Sequence, residues 1–152
     1  MLEIASGTGQ HAVYFSAALP HLQWQCSDLA INHQGINAWL DEALQAGATN
    51  IARPLMLDVT QSEWPNLKSD VRCDALYSAN SLHIMPWSAV EDLFTQLNTY
   101  LPIGAIVAIY GPFNYNGCYT SESNQQFDHR LFLRSPLSAI RDVEAVNQLA
   151  QD

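Results

Sequence analysis

The sequence predicts a doubly wound α/β domain on a mostly parallel sheet. Three observations carry this. Short apolar runs alternate with stretches of helical spacing. A glycine-bearing turn, Ser6-Gly7-Thr8-Gly9, sits where the first run passes into the first helix. The composition is 48% hydrophobic and 14% charged, which excludes a disordered chain and supplies one domain-sized core in 152 residues.

In chain order, Met1 to Ala5 reads as the end of a strand, and the helix after Gly9 stops at Pro20. Leu22, Trp24 and Cys26 alternate as a second strand ending at Asp28. Ile36, Trp39, Leu40, Ala43 and Leu44 follow helical spacing up to Gly47, a residue suited to ending a helix. Residues 51 to 59 form a third strand, and Pro54 places it at a sheet edge because proline cannot donate to the ladder. Ala75 to Ala79 is a fourth. Pro86 and Ser88 open a helix that turns Val90, Leu93, Phe94, Leu97 and Leu101 inward. Ile103 to Tyr110 is a fifth, wholly apolar strand. Residues 111 to 134 read as a long loop rich in aromatics and amides, and a short helix from about 142 to 151 follows. Trp24 and Trp39 are expected on core faces, Trp64 and Trp87 in turns.

Charge narrows the partners. Six Lys and Arg against 15 Asp and Glu give a formal net charge of -9, which repels phosphate backbones and anionic membranes. With Lys68 the single lysine, no basic patch can form. Cys26, Cys73 and Cys118 are too scattered for a disulfide framework or a zinc site, and His11, His21 and His33 lack ligand spacing, so no metal is expected. The longest apolar run is too short to span a bilayer. A soluble protein of a reducing, cytoplasmic compartment is the expectation.

The two glycines at 7 and 9 permit a tight turn and a close approach of backbone to ligand. Asp28 ends the second strand 19 residues after Gly9. A doubly wound sheet brings such a carboxylate beside the glycine turn, where it can accept from ribose hydroxyls. Together they point to a nucleoside ligand. Gly7 to Ala12 also satisfies the dinucleotide pattern G-x-G-x-x-A, which keeps NAD in view. Glu3 argues for a cationic ligand instead, since a carboxylate aimed at the turn would oppose a pyrophosphate.

Leu2-Glu3-Ile4-Ala5-Ser6-Gly7-Thr8-Gly9 resembles the first motif of class I S-adenosylmethionine-dependent methyltransferases, with Ala5 in place of the first glycine. Leu57-Asp58-Val59 resembles the acid that follows their third strand, Asp74 to His83 their fourth motif, and Leu101-Pro102-Ile103-Gly104-Ala105 the turn before their fifth strand. More narrowly, residues 5–11, Asn80 with His83-Ile84, and Gly111-Pro112-Phe113 resemble the DUF938, or methyltransferase-like 26, family. The resemblance implies a Rossmann-like sheet in order 3-2-1-4-5 and S-adenosylmethionine as cofactor, with S-adenosylhomocysteine as product. It assigns the cofactor to Glu3, Ala5, Gly7, Gly9, Asp28, Leu29, Asp58, Val59 and Asn80. That family fold has seven strands. One domain over residues 1–152 is therefore expected, lacking the leading helix and last two strands, with strand five an exposed edge that favours homo-oligomers.

For chemistry, His83 is the first candidate base, near where the cofactor methyl should point, with Asn80 beside it to hold cofactor or acceptor. The loop residues Tyr115, Tyr119, Ser123, Asn124, Phe127, Asp128, His129 and Arg130 suit a lid over a small polar acceptor. Asp128 and His129 are adjacent, and their diverging side chains speak against a dyad. The expected activity is methyl transfer to a small molecule. The alternatives are a non-catalytic S-adenosylmethionine-binding sensor or interaction protein and, third, an NAD-dependent oxidoreductase.

Overall fold

The structure is a computed structural model that describes residues 1–65 and 73–151; Lys68 lies outside them. Strands β1 (Leu2–Ile4), β2 (Trp24–Asp28), β3 (Ile51–Met56), β4 (Ala75–Ala79) and β5 (Ile106–Tyr110) form one parallel sheet. Their order is β3-β2-β1-β4-β5, the predicted doubly wound arrangement. The winding reverses between β1 and β4, and the crevice at that reversal, beyond the carboxyl ends of the strands, is where such sheets take ligands.

Side-chain alternation on β1 sorts the two faces. Leu2 and Ile4 enter one core with Leu76 and the inner face of α3 (Trp87–Tyr100). Glu3 points the other way, toward the core beneath α1 (Gln10–Ala18) and α2 (His33–Gln45) that contains Trp24, Cys26, Ile36 and Leu40. No side chain caps α3, yet Val90, Leu93, Phe94 and Leu97 are all buried on it. At about 1.5–3 kcal/mol for each such side chain, packing rather than capping holds this helix.

Gly9 shows why the first turn needs glycine. Its φ of 85° is left-handed, and a Cβ there would stand 3.2 Å from the Ile36 Cα of α2. Ala5, where the resembled motif has glycine, also takes a left-handed φ of 56°. An alanine held so stores about 1–2 kcal/mol of strain.

Pro54 does lie on an edge strand, β3. Four expectations are corrected. The third strand stops at Met56 rather than Val59, because Asp58 Oδ1 accepts from the Thr60 amide and hydroxyl and turns the chain. The fifth begins at Ile106 rather than Ile103, because Ala105 N–H closes a turn on Pro102 O with Gly104 at φ 86°. Trp39 is 39% exposed, since α2 buries only Ile36 and Leu40.

The fourth is the largest. Within the expected loop, Phe113–Asn114 forms β6 and Glu122–Arg134 forms a helix, α4. Ser121 caps α4 by accepting from the Asn124 amide. Arg141–Asp142 forms β7, which pairs with β6 in a separate two-stranded sheet, and α5 (Val143–Leu149) sends Val146 into the α3 core.

Candidate functional site

Every strand of the main sheet ends, at its carboxyl end, in a segment carrying a residue named above. After β1, residues 5–9 turn into α1, whose first turn has no side-chain cap and presents open N–H groups. After β2, Asp28 is buried and helps to build the turn. Its Oδ2 accepts from Gly7 N–H at 2.7 Å, and its Oδ1 accepts from Leu29 N–H at 2.7 Å and Asn32 Nδ2 at 2.8 Å. A carboxylate offers roughly four acceptor positions. Three protein donors order Asp28 and leave it room for one more.

After β3, the Thr60 amide and then its hydroxyl hold the Asp58 carboxyl below the usual carboxylate range. The 57–65 segment is fixed from behind. Tyr100 Oη accepts from Trp64 N–H at 2.8 Å and donates to Trp64 O at 3.0 Å, with the two rings stacked.

Ala5, Asp28, Leu29, Asp58 and Val59 line one cavity of about 220 Å³; Met85, Pro86 and Ala89 form its far wall. The walls are largely apolar, with both carboxylates present. That volume lies below the roughly 300–1,000 Å³ of a complete ligand pocket, so it suits one heterocycle rather than a whole cofactor. Glu3, Gly7, Gly9 and Asn80 are not among the lining residues.

Glu3 is 1% exposed, and its Oε2 accepts from Trp24 Nε1 at 3.0 Å. Burial pushes its carboxyl above the usual range, partly offset by the Trp24 bond. Any influence on a ligand is exerted through the loop or through space. Gly7 reaches the site as the donor that anchors Asp28.

Asn80 follows β4 with a left-handed φ of 55°, and its amide donates to Tyr110 O at 2.8 Å, tying the ends of β4 and β5 together. Its side chain is exposed. His83 lies in the following turn, 7% exposed, with its ring edge-on to Phe127 of α4 at 5.3 Å between centroids. A Cβ on Gly111 would stand 3.7 Å from His83 Nδ1 and 3.8 Å from Asn80 Oδ1, so glycine there leaves that flank open. Burial, then the Arg141 charge, lower the His83 pKa, which keeps the imidazole uncharged near neutrality.

Arg141 went unread in the sequence, and Asp128, expected in a lid, takes a different part. Asp128 accepts from Ile140 N–H at 2.6 Å and from Tyr119 Oη at 2.8 Å, fastening α4 to the approach to β7. Arg141 donates to backbone carbonyls of the His83 turn. Tyr119, Asp128, His129 and Arg130 do come together, but along an open groove of about 690 Å³ on α4. Among the described residues, no group of three or more His, Cys, Asp or Glu is placed to hold a metal ion.

Comparison with known proteins then places the chain. A family described as "Protein of unknown function (DUF938)" matches residues 1–152. The chain belongs to the DUF938 family. This DUF938 chain is also similar in structure to several methyltransferases. An O-methyltransferase family protein from Burkholderia thailandensis superposes with a TM-score of 0.81 at 11% identity, covering 99% of this chain and 44% of that one. Human N-acetylserotonin methyltransferase in complex with SAM gives 0.76 at 13%, covering 99% and 40%. PigF with SAH gives 0.82 at 14%, covering 99% and 43%. The DUF938 chain thus has the methyltransferase fold and spans about two fifths of those chains' length.

Proposed function

We propose that this chain carries the cofactor-binding half-site and acceptor-facing turn of an S-adenosylmethionine-dependent methyltransferase acting on a small molecule. One observation supports it above the rest. Met85 and Pro86, which wall the slot bearing Asp28 and Asp58, follow His83 closely in the 80–86 turn, so one turn after β4 serves both a slot fit for a nucleoside and the candidate base. The donor set fits the group. An apolar slot suits adenine, Asp28 has an acceptor position left for a ribose hydroxyl, and Asp58 is an ionised acceptor for an amino group. The uncapped start of α1 suits the carboxylate of the amino-acid part.

When bound, S-adenosylmethionine supplies an electrophilic methyl on a sulfonium. The protein's share is to fix that methyl in line with the acceptor and keep water away. Neutral His83 can take a proton from an acceptor hydroxyl or amine, and Asn80 can orient it. Glu3, Gly7 and Gly9 act by shaping the loop. A cytoplasmic setting accords with three unpaired cysteines, two of them buried.

Calorimetry with S-adenosylhomocysteine and with NAD tests this. Heat with the former alone is expected, and Asp28→Ala should weaken it by about 1.5–3 kcal/mol, the scale of a charge-assisted hydrogen bond. Heat with NAD alone would establish the oxidoreductase alternative. Binding without methyl transfer across an acceptor panel would leave the sensor reading.

A further inference from the structure

The turn that presents His83 is held by its carbonyls, and the donors all come from one short segment far along the chain. Arg141 Nε donates to Leu82 O at 3.2 Å, and its Nη2 donates to Met85 O and, at 2.9 Å, to Leu137 O. Ser138 Oγ donates to Ile84 O at 2.9 Å. The carbonyls at 82, 84 and 85, on either side of His83, are therefore all engaged from 138–141. The guanidinium also lies 5.7 Å from the centre of the Trp87 ring, at the start of α3.

The same segment grips α4, because Ile140 N–H donates to Asp128. Phe127, next to Asp128, supplies the ring against which His83 stands. Turn and helix are thus fixed to one strap, with the imidazole between them.

Arg141 makes no ion pair within 4 Å among the described residues. A part-buried guanidinium spent on carbonyls is an expensive way to hold a turn, since carbonyl dipoles offset its lost hydration less well than a carboxylate would. A planar fork does, however, fix several carbonyls in one geometry, which a lysine cannot.

We propose that Arg141 is a positioning residue, one that locks the 82–85 turn against α4 and so sets where the His83 ring stands. This rests on the reading of His83 as the proton acceptor. The charge adds a second effect, because a cation nearby disfavours the imidazolium. The charged groups on elements packed against His83 are Arg141 on β7 and, flanking Phe127 on α4, Asp128 and Arg130. Arg130 lies 5.9 Å from the Phe127 ring centre, and Asp128 is held by Tyr119 and Ile140.

The test uses the full chain as wild type, R141Q and R141K. Nuclear magnetic resonance follows the His83 ring titration, assigned with His83→Asn, and the cross-relaxation between the His83 and Phe127 rings. Calorimetry measures S-adenosylhomocysteine affinity. In R141Q the titration midpoint should rise toward the ordinary value of about 6.5 and the ring contact should weaken, with affinity within about two-fold of wild type. R141K, which keeps charge but not the fork, should retain the low midpoint and still lose the contact. A folded R141Q with unchanged midpoint and contact would overturn the proposal, as would loss of affinity in step with loss of contact. If R141Q does not fold, an unchanged ring contact in R141K overturns it. Failure of wild type to bind S-adenosylhomocysteine strikes the methyltransferase reading instead, because the ring titration is read without ligand.

Discussion

Glu3 lies between the glycine turn and an aromatic cluster, and its environment is legible only in part from the chain. The motif places an acid at the end of the first strand; the structure buries it against the Trp24 indole. Because burial raises its pKa in the folded state, protonated Glu3 contributes stability that is fully present below the unfolded value, about 4.3. That contribution is lost as pH rises through the folded value. Glu3→Gln keeps an oxygen for Trp24 and never ionises. Its stability relative to wild type should therefore climb from pH 4 to pH 8, measured by urea denaturation. A pH-independent difference would assign the effect to something other than the buried charge. His83 works in the opposite sense. Its lowered pKa makes the folded state bind fewer protons than the unfolded chain, so its share of stability falls as pH drops below about 6.5.

At the scale of elements, α3 and α4 show what pattern reading can and cannot find. Val90, Leu93, Phe94 and Leu97 mark α3 through helical periodicity alone. On α4 only Leu131 is fully buried, and Asn, Gln, Asp and His fill most of its first turns, a composition shared with loops. The available traces were a Ser121 cap, the four-residue spacing of Phe127 and Leu131, and Ser135-Pro136 as a stop. Since little apolar area holds α4, its anchor at Asp128 should matter more than usual. Asp128→Ala removes two charge-assisted hydrogen bonds, the part-buried one from Ile140 N–H worth about 1.5–3 kcal/mol and the solvent-exposed one from Tyr119 worth less. Hydrogen exchange should quicken across α4 and at Ile140 while β1 and β2 keep their protection. Equal loosening of β1 would show that α4 and the sheet open as one unit.

Across the whole molecule, β3 and β5 close the sheet differently. Pro54 and the charged Arg53 blunt the β3 edge. On β5 and the turn before it, Ile103, Ile106 and Tyr110 are well exposed, with no strand beyond β5 among the described residues. Parallel strands are normally covered on both faces, so this edge invites a partner strand. Sedimentation should find the chain self-associated at micromolar concentration, and Ile106→Lys should shift it toward monomer. A wild-type monomer would show the edge to be adequately protected. Among the described residues, no helix is long and apolar enough to cross a membrane.

The strand-and-helix alternation, the glycine turn and the pairing of Asp28 with it were determined by the sequence alone. All are local patterns or follow from the single topology that such alternation permits. Tertiary structure alone decided that Glu3 turns to Trp24 and that Arg141 holds the His83 turn. The Arg141 bonds to residues 82 and 85 join positions 59 and 56 apart in the chain. Their acceptors are backbone carbonyls, which every residue carries. No residue pattern can announce such a contact; the packing of β7 beside the β4 turn creates it.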